Sequence, residues 1–437
     1  MEQEIKASTS WLDRPITSVL ARVDIQAIII VVILGLAILS RFYNLGDRVM
    51  SHDETNHVVP SWELFSGNGY RYDPVTHGPL QFHLIALSFF FFGDNDFTAR
   101  LPAAVFSIAA IAIVLLAYRR YLGRHGALIA GFLFLISPYM LFYGRYTRNE
   151  GFSPVWGLVT ILAALRYLEK GDRFSLILLT LVSAFHFVDK ATSFIYTAQL
   201  MIFLFLIFLQ ELSRIKWPVD GIRKQFVALM GGAAVAFAVA LGLAVWNSAI
   251  NKTPAATTAA NPAPAAAGIT LSPQMYGIFA ALGIALILAL AGVVILIRNL
   301  GWNSIRRQRS FDMLIVLGTL VLPQLSAFPL RMLGLDPLDY STAGMLRSGT
   351  IVIILTVVAV AIGLWWNPKI WLILAAIFYG IFTVFFTTFF TNGQGFFTGL
   401  VGALGYWLAQ QSVQRGSQPL YYYVLILIPI YEYLAAC

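Results

Sequence analysis

Long apolar runs alternate with short charged punctuation along almost the entire chain. The first run, from about Ile25 to Tyr43, is long enough to cross a bilayer, which takes roughly 20 residues in a helix. No small-residue cleavage site follows it, so it reads as a first spanning helix and not as a signal peptide. Basic residues collect between later runs: Arg119, Arg120 and Arg124; Arg166, Lys170 and Arg173; Arg214, Lys216, Arg223 and Lys224; Arg298, Arg306, Arg307 and Arg309. With Arg14 and Arg22 before the first helix, this spacing predicts a cytoplasmic N-terminus and basic cytoplasmic loops. The alternate loops then face out: residues 44–100, 143–153, 188–193, 247–274 and 330–348.

The run from Leu80 to Phe92 is too short to cross. If it did, the Arg119, Arg120 and Arg124 cluster would fall on the outer side, against the charge rule. It is therefore expected to lie in the outer interface, with the second spanning helix running from about Leu101 to Tyr118. The expected fold is an all-α polytopic membrane protein with about twelve transmembrane helices. A cytoplasmic segment, 1–24, precedes a single transmembrane domain, 25–437, whose large first outer loop, 44–100, contains interfacial helices. Residues 253–268 are mostly Ala, Thr and Pro, a composition that buries no core and predicts a flexible loop. The chain ends inside the apolar run from Tyr421 to Cys437, with no soluble outer domain before it.

Composition agrees with this picture. Of 437 residues, 59% are hydrophobic and 11% charged, far from the balance of a soluble domain. The formal net charge of +8 is split among the loops instead of covering one face, so it argues for contact with anionic membrane lipids and against nucleic acid. A single cysteine, Cys437, excludes an internal disulfide and a cysteine metal cluster.

In so poorly charged a chain, the ionisable residues of the outer loops stand out. The first loop carries Ser-His-Asp-Glu-Thr-Asn-His with adjacent Asp53 and Glu54, and later Thr76-His77-Gly78-Pro79-Leu80. The next outer turn carries Arg145, Arg148 and Glu150, and the one after it Asp189 and Lys190. Charges near the membrane are costly unless paired or functional, and here cations and carboxylates share one side. Singly, Arg148 with Glu150 or Lys190 with Asp189 reads equally well as a local ion pair. Together they predict a site in which Asp53, with Glu54 and Glu150, supplies the catalytic carboxylates, and Arg145, Arg148 and Lys190 bind a lipid phosphate. No phosphate-cradling glycine loop or dinucleotide fingerprint occurs. His52 and His57 are five apart, which breaks the zincin spacing. Glu54 and His77, with Glu150, leave room for one divalent cation, Mg or Mn by oxygen ligation or Zn through the imidazole. No other cofactor is expected.

The Asp-Glu pair, the His-Gly-Pro-Leu opening of an interfacial helix, Phe97-Thr98-Ala99-Arg100-Leu101-Pro102 at the second span and Arg148-Asn149-Glu150 after the third resemble the GT-C glycosyltransferases. More narrowly, the chain is similar to the branch of dolichyl-phosphate-mannose protein mannosyltransferases and the lipid A aminoarabinose transferase, and to a prokaryotic flippase-activity-associated group whose tail matches Tyr406-Trp407-Leu408 and Tyr421-Tyr422-Tyr423. The resemblance implies an inverting transferase that moves a sugar from a polyprenyl-phosphate donor to a protein or lipid acceptor, with Asp53 as base and Lys190 matching a lysine after the fifth span. It departs at Gly78, where relatives carry the first proline of a pair. Two other classes remain: a non-catalytic membrane subunit serving as scaffold for partner subunits, and a flippase or transporter. The latter is disfavoured because the charges cluster at the boundary and not at midspan.

Overall fold

The computed structural model describes residues 24–250, 273–333, 335–410, 418 and 421–433. The N-terminal segment, the Ala/Thr/Pro stretch at 253–268 and Cys437 fall outside the described residues. Among those described, regular structure is entirely helical.

The first helix, α1 (Ile25–Phe42), is capped by Asp24, whose carboxylate accepts from the Gln26 N–H. Two short helices of the first loop follow, α2 (His52–Phe65) and α3 (Leu80–Phe92). The chain then forms α4 (Asp96–Leu116), α5 (Arg119–Ile136), the single turn α6 (Pro138–Tyr143), α7 (Ser153–Lys170), α8 (Arg173–Asp189) and α9 (Thr192–Arg214). A long pair, α10 (Asp220–Ile250) and α11 (Pro273–Leu300), precedes α12 (Arg309–Val321), α13 (Thr342–Trp366) and α14 (Pro368–Phe386). Nine helices among the described residues are long and apolar enough to cross a membrane, and the protein is a multi-pass membrane protein. About twelve were expected; α8, with 17 residues, α5, interrupted at Gly123 (φ 71°), and the short helical pieces beyond α14 are not among these nine. The second long helix starts at Asp96, five residues before the expected Leu101, because Asn95 and Thr98 close a reciprocal capping box.

The core sits between α7, α8, α9, α12 and α14, where Ala163, Leu179, Leu204, Val316, Leu320, Leu374 and Phe378 pack together. A second cluster joins the first loop to this bundle through Phe82, Phe152, Val188 and Phe386. Ile33, Ala37, Ile111, Leu115 and Leu135 seat α1 against α4 and α5. The α10–α11 pair touches the bundle chiefly at one end, through Phe208, Leu212, Phe226, Met230, Leu296 and Ile305.

Proline chemistry ties the first loop down. Pro102, inside α4, has no N–H to give the Thr98 carbonyl one turn back. Ser88 Oγ of α3 takes up this freed acceptor, donating to Thr98 O at 2.7 Å, and Thr147 Oγ1 donates to the adjacent Ala99 O at 3.2 Å. The 13-residue α3, too short to cross, is thereby fixed against α4, as is the turn that carries Thr147.

Candidate functional site

The site grows from the N-terminus of α2. Ser51 caps the helix and Glu54 returns to the Ser51 N–H, a capping box that puts Asp53 and Glu54 in the first turn, where the helix dipole favours negative charge. The two neighbours then diverge. Glu54 is fully buried and accepts five hydrogen bonds: from Arg100 Nε (2.8 Å) and Nη2 (3.1 Å), Arg48 Nη2 (2.9 Å), Ser51 N (3.1 Å) and Thr147 N (3.2 Å). The carboxylate has lost water, which alone disfavours its charge, yet Arg100 and the two N–H groups outweigh this and hold its pKa below the ordinary glutamate value. Asp53, one residue earlier, keeps 49% of its side chain exposed and receives Arg148 Nη1 at 2.7 Å.

The same register recurs one loop further on. Asn149 and Asp189 are both fully buried, and Asn149 Nδ2 donates to Asp189 O and Oδ1, each at 2.8 Å; Trp156 Nε1 donates to Oδ2 at 3.0 Å. The residues that follow, Glu150 and Lys190, meet at the surface of this clamp, Nζ to Oε1 2.7 Å. Arg148 Nε lies 3.3 Å from Glu150 Oε2, so Asp53, Arg148, Glu150 and Lys190 form one continuous row of alternating charges drawn from three loops. In each case a buried pair sets the register (Glu54 with Thr147, Asn149 with Asp189) and an adjacent residue is delivered to the site: Asp53 before Glu54, and Arg148, Glu150 and Lys190 after Thr147, Asn149 and Asp189.

Two expectations are corrected by this geometry. Arg145 is not in the row: its guanidinium donates to Ser40 O (2.8 Å) and Asn44 O (3.1 Å) at the end of α1, so the row holds two of the three expected cations, Arg148 and Lys190. Glu54 does not fit a metal ligand or a reacting acid, because both its oxygens are filled by guanidinium and N–H donors and no part of it is exposed. Among the described residues no three His, Cys, Asp or Glu side chains are grouped as a metal site. Lys190 pairs with Glu150 and not with its neighbour Asp189, while Arg148 does reach Glu150 as the sequence allowed.

His77 lies beside the row, with its ring stacked on that of His57 at 6.4 Å, and its backbone is left-handed (φ 71°). Burial drives both imidazoles toward the neutral form, and Arg148 and Lys190 add to it: His57 is lowered to about 4 and His77 to about 3. An unfolded histidine titrates near 6.5, so the folded chain keeps its full advantage above that pH and loses stability as the pH falls below it, until the folded values are reached. For the buried His57 the expected slope is about 1.4 kcal/mol per pH unit between those limits. Unfolding midpoints of the detergent-solubilised protein should fall from pH 6.5 to pH 4, and less so in a His57→Phe variant; parallel curves for the two proteins would contradict a buried neutral ring.

Gly78 explains its own departure from proline. Its N–H donates to Asp189 O at 2.9 Å, and a Cβ placed there would collide with the backbone carbonyl groups of Val188 and Asp189. Proline would remove the donor and add the clash. Gly78→Ala is expected to destabilise the protein by about 1–3 kcal/mol through overpacking, and Gly78→Pro by more. Thermal unfolding checks this, and an unchanged midpoint for the proline variant would show that the loop seats differently.

Sequence reasoning gave Arg100 and Asn149 no role beyond the motifs that contain them, and took Asp189 only as a local partner for Lys190. The signal was present: Arg100 and Asp189 are charged residues at the ends of apolar runs, where a buried partner is required.

Residues 76–246 match the family model of dolichyl-phosphate-mannose-protein mannosyltransferases. No curated protein sequence matches the chain. Among solved structures, it is similar to the archaeal oligosaccharyltransferase AglB from Archaeoglobus fulgidus in complex with an inhibitory peptide and a dolichol-phosphate, with 14% identity and a TM-score of 0.40 over 94% of this chain and 55% of that one. The apo form of the Archaeoglobus fulgidus enzyme matches with the same figures. ArnT from Cupriavidus metallidurans bound to undecaprenyl phosphate is similar at 13% identity and a TM-score of 0.36, over 87% of this chain and 77% of that one. The chain thus spans little more than half the length of the oligosaccharyltransferase.

Proposed function

We propose that this protein is a glycosyltransferase that moves a sugar from a polyprenyl-phosphate donor to a hydroxyl or amine of a lipid or protein acceptor at the outer face of the cell membrane. The observation that carries the reading is the row Asp53–Arg148–Glu150–Lys190, in which a half-exposed carboxylate pairs with Arg148 and Glu150 links that cation to Lys190. The mannosyltransferase-family match over residues 76–246, which includes three of the four, supports it.

In this reaction the acceptor oxygen or nitrogen attacks the anomeric carbon while the bond from that carbon to the phosphate oxygen breaks, and the configuration inverts. Asp53 accepts the acceptor's proton, a role its exposure permits and the burial of Glu54 denies to its neighbour. Polyprenyl phosphate leaves with the bonding electrons, and Arg148 and Lys190 stabilise the charge that develops on it. Glu150 lies between the two cations and fixes their spacing. The basic loops, which by helix order connect the ends opposite α2 and the 144–151 turn, support a site on the outer side and a cytoplasmic N-terminus.

Membranes containing the protein, given a radiolabelled polyprenyl-phosphate sugar, should pass label to an endogenous lipid or protein. If a panel of such donors yields no transfer above membranes lacking the protein, the enzymatic reading fails and a non-catalytic membrane subunit takes its place.

A further inference from the structure

Just behind the charged row lies a polar atom with no partner. His57 is 4% exposed, and its Nδ1 makes no hydrogen bond. Leaving a buried polar atom unpaired costs roughly 1–3 kcal/mol, so the position calls for a reason. His57 follows Asp53 by four residues on α2, which puts the two side chains on one face of the helix, a turn apart. Its ring is held on two sides, by His77 at 6.4 Å with planes 17° apart and by Phe82 at 5.6 Å. All four members of the charged row, Asp53, Arg148, Glu150 and Lys190, act on it electrostatically.

We propose that His57 hydrogen-bonds a hydroxyl group of the transferred sugar through Nδ1. This rests on the glycosyltransferase reading above and deepens it by naming where the uncharged part of the donor is recognised. A donor of this class has two ends of different chemistry. Its phosphate is an anion and is matched by Arg148 and Lys190. Its sugar is a ring of neutral hydroxyls, each able to donate and accept. A neutral imidazole next to two cations is a poor phosphate ligand but a good hydroxyl partner, because either tautomer of Nδ1 finds a complement. The parallel His77 ring and the tilted Phe82 ring fix the imidazole plane, so the hydrogen bond is directional and discriminates among hydroxyl positions.

The test compares binding of a short-chain polyprenyl phosphate with binding of its mannosyl and glucosyl conjugates to the full-length protein in nanodiscs. In the wild type at least one conjugate should bind more tightly than the sugar-free lipid. His57→Phe keeps an aromatic ring in the stack and removes both nitrogens. It is expected to weaken the preferred conjugate roughly tenfold, the loss of one hydrogen bond, while the sugar-free lipid stays within about twofold. His57→Asn restores a polar group near Nδ1 and should recover most of the loss. Equal weakening of both ligands would assign His57 a structural role and overturn the proposal, as would no weakening of either. If the wild type binds sugar-free lipid and gains nothing from either sugar, the histidine assignment alone falls. If it binds neither lipid nor conjugate, the glycosyltransferase reading falls and takes this proposal with it.

Discussion

Glu54→Gln is expected to cost the protein about 3–5 kcal/mol, the usual penalty for stripping a buried charge of its partner. The reason lies less in Glu54 than in what it leaves behind. Arg100 is fully buried, and its Nε and Nη2 both end on the Glu54 carboxylate; among the described residues its one other partner is the Leu45 carbonyl, 3.0 Å from Nη1. A neutral amide presents one oxygen in place of two and no charge, so the guanidinium stays desolvated without compensation. The same substitution weakens the capping box at Ser51 and the bond from Thr147 N, which together hold α2 against the 144–151 turn. The unfolding midpoint in detergent should drop by about 3–6 °C. Replacing both members, Glu54→Leu with Arg100→Leu, should recover a substantial part of it, since an apolar pair of similar size carries no unpaired charge. A midpoint for Glu54→Gln within a degree or two of wild type would remove Glu54 from the centre of this assembly. Lost transfer in this variant says nothing about the reaction, because the row of charges that includes Asp53 depends on the register Glu54 sets.

Much of this arrangement was legible in the sequence, for physical reasons that also mark where legibility stopped. The multi-pass character follows from apolar runs of spanning length, and such a signal survives any detail of packing. The ionisable residues of three loops were readable as a set because charge near a membrane is rare, and Asp53, Arg148, Glu150 and Lys190 do meet. What could not be read was which of two adjacent residues turns inward. Asp53 and Glu54 are chemically alike, and only the helix phase of α2 against α4 sends Glu54 to Arg100 and leaves Asp53 at the surface. The same holds for Asp189 and Lys190, where the clamp to Asn149 and Trp156 selects the inward member. Arg145 shows the complementary failure. It lies three residues from Arg148, yet the turn between them points it back to the α1 carbonyls, a direction no spacing rule encodes. Counting helices by length meets a related limit: a 17-residue helix such as α8, or one broken at a left-handed glycine as α5 is, falls outside a length rule whether or not it crosses.

Asp53→Asn should behave in the opposite way to Glu54→Gln: transfer lowered by roughly 10²–10⁴-fold, the range for losing a general base, with the fold intact. Half of the Asp53 side chain is exposed and its ion pair to Arg148 is also partly exposed, so breaking it costs at most about 1 kcal/mol. Arg148 keeps Glu150 at 3.3 Å and Lys190 keeps it at 2.7 Å, so the cations that meet the donor phosphate stay in place. Binding of the donor should accordingly persist, with the loss in turnover and not in apparent affinity. Asparagine preserves shape and hydrogen-bonding reach but cannot take up the acceptor's proton, and that proton then has no acceptor at the moment the nucleophile attacks. Lys190→Met provides the contrast. It removes a cation from the leaving group's side and should weaken donor binding and turnover together, because that charge meets the phosphate before and during the reaction. Measured side by side in membranes with a radiolabelled donor, the two variants separate the proton acceptor from the phosphate site. Wild-type turnover in Asp53→Asn would mean that the proton leaves by another route, and the base would have to be sought elsewhere along the row.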